Sequence, residues 1–275
     1  MVGTPKILTS LHGSRIGLGP NGELIVEGSR VTNPRQNGGP FRQAPGFIKD
    51  PSYAFEMFDD FLQPASATMS DLMAWTVGTD GASGTDAFQD AAGGVVNLVT
   101  AAADNDYKAW SSVAENFKFA LGKELYFEAR FKLAEATVLE STWWFGFTDT
   151  LTTGGMQANA AGPLASYDGA LIFKTPETAM TVNFETSNAG TQNTLSEFAT
   201  AVTDTWTKVG MWFDGIDTIH PFIDVGNGSG WAKGTGQGIV LTGLEEMHLV
   251  FGVKAGPTAA AETLQVDYVK AVQLR

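Results

Sequence analysis

The most regular pattern in the chain is "ELYFEARFKL", residues 124–133. Leu125, Phe127, Ala129, Phe131 and Leu133 take every second place, with Glu124, Tyr126, Glu128, Arg130 and Lys132 between them. Successive side chains of a strand point to opposite faces, so this run predicts a strand with one apolar and one polar face. "GVVNLVTAA" (94–102) is nearly continuous in apolar residues and predicts a strand buried on both faces. "FKFAL" (117–121) alternates. "WWFGFTD" (143–149), "ALIFK" (170–174), "TVNFET" (181–186), "MHLVFGVKA" (247–255) and "LQVDYVKAVQL" (264–274) have strand character. "WTKVGMWFDGIDTIHPFIDV" (206–225) reads as a hairpin that turns at Asp214-Gly215. One short helix is expected at "SATMSDLMAW" (66–75), and there is no repeat or heptad.

About a dozen short strands joined by Gly-rich connections predict two packed antiparallel sheets over 53–275. Each inward Phe or Leu contributes on the order of 2 kcal/mol, so core packing accounts for the aromatic residues without a ligand. Residues 1–52 differ. "HGSRIGLGPNGELIVEGSRVTNPRQNGGPFRQAPG" is rich in Gly, Pro, Asn and Arg and too poor in apolar residues for a core of its own. It offers one small hairpin, with "GPNGE" as the turn and "ELIVEG" as the second strand. Arg15, Arg30, Arg35 and Arg42 make it basic, so it is read as an extended arm that orders against a partner.

Composition narrows the function classes. The chain of 275 residues is 43% apolar and only 17% charged, with 32 Gly and 18 Phe, which suits a sheet protein. Its net charge of −13 repels phosphate backbones and anionic membranes, so no nucleic-acid or membrane partner is expected. With no Cys there is no disulfide, thiol nucleophile or thiolate metal site. No apolar run reaches the roughly 18 residues of a membrane helix, and the first residues lack a signal-peptide core. The expectation is synthesis in the cytoplasm without export.

"ENFKFALGKELYFEARFKLAEA", "WWFGFTD", the 206–225 hairpin and "LQVDYVKAV" together resemble the concanavalin A-like jelly roll, the lectin/glucanase sandwich. The resemblance covers about 53–275, and more specifically the residues resemble jelly-roll virion proteins of tailed bacteriophages. The opening "LHGSRIGLGPNGELIVEG" is similar to openings of such proteins. The family resemblance implies an all-β, two-sheet antiparallel sandwich behind an N-terminal arm. It also implies a capsid decoration or cement protein that binds the major capsid protein on the head exterior as a dimer or trimer. No enzymatic activity and no cofactor follow from it. The contacts fall to Arg15, Arg30, Arg35, Arg42 and one sheet face. The alternative it leaves is a carbohydrate-binding module or virion adhesin, and behind that a glycoside hydrolase.

Residues that could carry chemistry are few. Jelly-roll glycosidases place three carboxylates at i, i+2 and i+4 of one strand, and here Tyr126 stands between Glu124 and Glu128. A retaining glycosidase needs two carboxyls about 5–5.5 Å apart, whereas i and i+4 lie roughly 13 Å apart along a strand. With Arg130 and Lys132 on the same face, the strand reads as solvated or partner-facing rather than catalytic. "DGASGTD" (80–86), "DNDY" (104–107) and "DGID" (214–217) do not match a calcium loop, and Asp104, Asn105 and Asp106 read as turn formers. Trp110 and Trp231 are the aromatic candidates for a sugar site. "GNGSGWAKGTGQG" (226–238) lacks the order of a phosphate-binding loop. His12, His220 and His248 are scattered.

Overall fold

The computed structural model describes residues 15–18, 24–27, 39–44, 51–62, 75–79, 84–89, 93–135, 140–150, 162–176, 180–257 and 260–275. The chain forms two compact units, Met1–Asn37 and Gly38–Arg275. In the first, β1 (Arg15–Leu18) and β2 (Leu24–Glu27) pair antiparallel, Arg15 opposite Glu27 and Leu18 opposite Leu24. This is the pairing that "ELIVEG" suggests; the turn itself lies outside the described residues.

The second unit is a two-sheet sandwich. Its strands are β3 (Ala54–Asp59), β4 (Trp75–Thr79), β5 (Thr85–Gln89), β6 (Val95–Val99), β7 (Tyr107–Ser112), β8 (Leu125–Ala134), β9 (Thr142–Thr148) and β10 (Gly169–Lys174). They continue with β11 (Thr181–Asn188), β12 (Thr191–Thr200), β13 (Thr207–Phe213), β14 (Thr218–Asp224), β15 (Ala232–Lys233), β16 (Gln237–Gly238), β17 (His248–Lys254) and β18 (Thr263–Leu274). A seven-stranded sheet runs β12-β11-β10-β9-β17-β7-β4. A nine-stranded sheet runs β15-β14-β13-β8-β18-β6-β5, with β3 added on β18 and β16 on β14. The ladders are antiparallel throughout.

The core lies between the sheets. Leu125, Phe127, Ala129, Phe131 and Leu133 all enter it from β8, as the alternation requires. They meet Trp143, Phe145 and Phe147 of β9 and Leu249, Phe251 and Val253 of β17. Phe131 sits 4.7 Å from both Trp143 and Phe145, ring centre to ring centre. A second apolar layer, including Ala109, Trp144, Leu171, Phe173 and Val250, lies on the other face of the seven-stranded sheet. It accounts for β9 and β10 being buried along their whole length.

Some expectations change. In β6 only Val96 and Leu98 join the core cluster, while Asn97 and Val99 are half-buried. Asn97 instead receives a hydrogen bond from Gln265 Nε2 on the neighbouring strand. "FKFAL" forms no strand: Phe117 and Phe119 fill the core, but Phe117 makes only a single bridge with Met247. Alternation without a partner ladder does not make a strand. The expected helix lies outside the described residues except for Trp75, which begins β4. The one helical turn among the described residues is the 3-10 turn Pro40–Gln43, and it belongs to the sandwich unit.

Candidate functional site

The outer face of the nine-stranded sheet collects the polar half of the β8 pattern. Antiparallel partners share a face. Tyr126 stands opposite Trp212 on β13 and Val272 on β18; Glu128 stands opposite Gly210 and Lys270; Arg130 stands opposite Lys208 and Tyr268. Trp212 in turn stands opposite His220 of β14, and the two rings stack at 5.2 Å.

Each acid has its own partners. The Tyr126 hydroxyl donates to Glu124 Oε2, and Trp212 Nε1 donates to the same oxygen at 3.0 Å. The Tyr268 hydroxyl donates to Glu128 Oε1. Burial, reinforced by the adjoining carboxylates, holds both phenols far above the usual tyrosine range, so they remain donors at neutral pH. Burial also pushes the Glu128 carboxyl up, opposed by the Tyr268 hydrogen bond and by Lys208 and Lys270. His220 is pushed down by burial and then by Lys233.

The chain covers this face with its own residues. Pro40 lies on Gly210: a Cβ there would sit 2.7 Å from Pro40 Cγ and 2.6 Å from the Phe127 carbonyl. Phe41 stacks on Tyr126 at 5.9 Å with the rings 27° apart, and Lys270 Nζ lies 5.1 Å from the Phe41 ring centre. Gly39 presses on Trp231, where a Cβ would fall 2.7 Å from Nε1. Tyr126 is therefore 0% exposed. The sequence placed it on an open face; the structure corrects that, because Phe41 supplies a lid.

Around the lid lie three half-buried tryptophans. The Arg130 guanidinium is 4.5 Å from the Trp206 ring and Lys132 Nζ is 5.7 Å from it; Lys208 lies 5.7 Å from Trp231 and Lys233 lies 5.5 Å from Trp212. Acids pair with three of these cations: Asp267 with Arg130, Asp204 with Lys132 at 3.0 Å and Asp224 with Lys208 at 3.6 Å.

The other sequence candidates disperse. Trp110 is fully buried in the core and cannot meet a sugar, whereas Trp231 belongs to the face just described. Asp104 and Asn105 form a turn, whereas Asp106 is fully buried and its carboxylate accepts from the Ala101 N–H five residues upstream. His220 and His248 lie on different sheets, with His248 Nδ1 2.6 Å from the Ser112 carbonyl oxygen; His12 lies outside the described residues. Arg15 begins β1 and Arg42 lies in the 3-10 turn, while Arg30 and Arg35 lie outside the described residues. Among the described residues, no group of three or more His, Asp or Glu side chains is placed to hold a metal ion, and no helix is long and apolar enough to cross a membrane. Sequence reading missed Pro40, Phe41, Trp206, Trp212 and Tyr268 as members of the face. "GGPF" belongs to the stretch rich in Gly and Pro before residue 53, and nothing local says where it docks.

No protein-family model and no curated protein matches the chain. Solved structures do. The basic winged bean lectin, solved with Tn-antigen, superposes with a TM-score of 0.56 over 80% of this chain and 99% of the lectin, at 10% identity. Peanut lectin gives 0.55 over 81% of this chain and 98% of its own, at 12% identity. A protein of unknown function from Shewanella oneidensis MR-1 gives 0.54 over 81% of this chain and 87% of its own, at 14% identity. At such identities the likeness is one of fold: Gly38–Arg275 is a concanavalin A-like, lectin-type jelly-roll sandwich.

Proposed function

We propose that this chain is a non-catalytic, carbohydrate-binding module that works through the outer face of its nine-stranded sheet. The observation that carries the reading is the grouping of Trp206, Trp212 and Trp231 on one face, each half-buried and flanked by charged or hydrogen-bonding groups. A sugar ring has apolar C–H faces and a hydroxyl rim, so it needs apolar plates beside a few fixed donors and acceptors. The lectin-type fold supports the same reading. Glu124 and Glu128 serve it as acceptors, since each holds separate hydrogen-bond partners rather than facing the other across a shared site. A glycan array followed by titration tests it. At least one glycan class binds, and Trp206→Ala or Trp231→Ala weakens that binding tenfold or more; a flat profile across neutral and acidic glycans refutes it.

A second reading, a capsid decoration protein bound to the major capsid protein, rests on Met1–Asn37 forming a compact unit of its own and carrying Arg15, Arg30 and Arg35. High copy number in purified virus particles is the expected result; absence from them ends this reading.

A further inference from the structure

Gly39 and Gly210 stand at the contact between the Pro40–Phe41 lid and the sheet. Neither needs glycine for its backbone: Gly39 has φ −65°, and the Gly210 φ lies outside the left-handed range. Both need glycine for closeness: a Cβ at Gly39 would meet the Trp231 ring at 2.7 Å, and one at Gly210 would meet the Phe127 carbonyl of the neighbouring strand at 2.6 Å and the Pro40 ring at 2.7 Å. The lid and the slot are therefore shaped to each other. Yet no backbone hydrogen bond among the described residues ties Gly39–Phe41 to the sheet, and the 3-10 turn has no side-chain cap. Ring stacking and the Lys270 ammonium hold it, and it can lift without breaking a ladder. Around the slot stand groups that a polyhydroxyl ligand uses: the Glu128 carboxyl, which accepts from the Tyr268 hydroxyl, the Lys270 ammonium, which pairs with Glu56 Oε1 at 2.8 Å, and the Trp231 indole, with Tyr126 as a flat floor.

We infer that this slot, bounded by Tyr126, Gly210, Trp231 and Lys270, is the primary sugar subsite, and that the Gly39–Gln43 segment is its tethered competitor. The inference rests on the carbohydrate reading above and adds its regulation. A sugar ring stacks on Tyr126 where Phe41 now lies and turns its hydroxyls to Glu128 and Lys270. Binding then requires the lid to leave, and a lid open about a tenth of the time weakens the apparent affinity about tenfold.

The test uses the full chain and the best glycan from the array. Phe41→Ala removes the competitor, and Gly39→Ala, whose Cβ would fall 2.7 Å from Trp231 Nε1, pushes the segment off the sheet from the lid's own side. Both are expected to bind about tenfold more tightly than the parent, and saturating glycan is expected to raise hydrogen exchange at 39–44 in the parent. Equal affinity in parent and variants, with 39–44 unchanged on saturation, overturns the competitor while leaving the carbohydrate reading intact. Weaker binding in Phe41→Ala with a lowered melting temperature makes the segment a strut and also overturns it. No glycan binding to parent or variants removes the carbohydrate reading and the subsite with it.

Discussion

Replacing Lys174 by Met tests how a buried charge is held at the rim of the sandwich. The Lys174 side chain is 0% exposed and that of Glu135 is 1% exposed, with Nζ 3.1 Å from Oε1. Nζ also donates to the Ser141 carbonyl at 2.6 Å, and Ser141 Oγ donates to Glu135 Oε1 at 2.5 Å. At an effective dielectric of about 20, the pair attracts by roughly 5 kcal/mol, most of it offset by desolvation. Removing one partner is different, because it strands the other charge. Lys174→Met leaves the Glu135 carboxylate buried with the Ser141 hydroxyl as a weak substitute, and the expected loss is about 3–5 kcal/mol at pH 7. For a domain of this size, that lowers the melting temperature by about 6–20 °C. Urea unfolding at pH 7 is the assay. A double change, Lys174→Met with Glu135→Leu, is expected to recover part of the loss, because the buried Glu262 carboxylate that also acts on Lys174 remains. A single variant within about 1 kcal/mol of the parent would show that the carboxylate is solvated or paired elsewhere, and the reasoning would be wrong.

Two further outcomes follow from the geometry. Gly146 lies in β9 with φ +153°, and a Cβ there would sit 2.1 Å from the Ala170 carbonyl oxygen on the neighbouring strand. Gly146→Ala is expected to cost more than about 3 kcal/mol, read as a lower urea midpoint; an unchanged midpoint would mean that the β9–β10 ladder can yield. Burial raises the Glu128 carboxyl above its ordinary 4.5, so the folded chain holds a proton that the unfolded chain releases. Stability from this group is present below about pH 4.5 and is lost as pH rises through the higher folded value. Glu128→Gln removes that loss, so between pH 4.5 and pH 7 the variant should gain stability relative to the parent, read from urea midpoints; equal pH slopes in both proteins would contradict it.

The sandwich was legible where structure depends on neighbours in the chain. A period of two in 124–133 needs only local pleating, and all five apolar residues reached the core. The Asp214-Gly215 turn is equally local: Asp214 Oδ1 accepts from the N–H groups of Ile216, Asp217 and Thr218, and Gly215 takes φ +74°. β12 was not legible, because "TQNTLSEFAT" is polar and becomes a strand only by pairing with β11. The burial of Lys174 was also out of reach, since its partners arrive from the ends of β8 and β9.

The near-miss acid triplet shows the same division. From sequence alone, Glu124, Tyr126 and Glu128 share a face, and their spacing and middle residue argue against a glycosidase pair. Only the tertiary structure decided what that face meets. Trp212 and Tyr268 reach the acids from the neighbouring strands, and Phe41 arrives from far upstream to close over Tyr126. Backbone periodicity is encoded within a few residues, so a strand and its inward side can be read directly. The cover of its outward side depends on where a distant segment docks, and that is settled by the fit of Pro40 and Phe41 to Gly210 and Tyr126 once the sheet has formed.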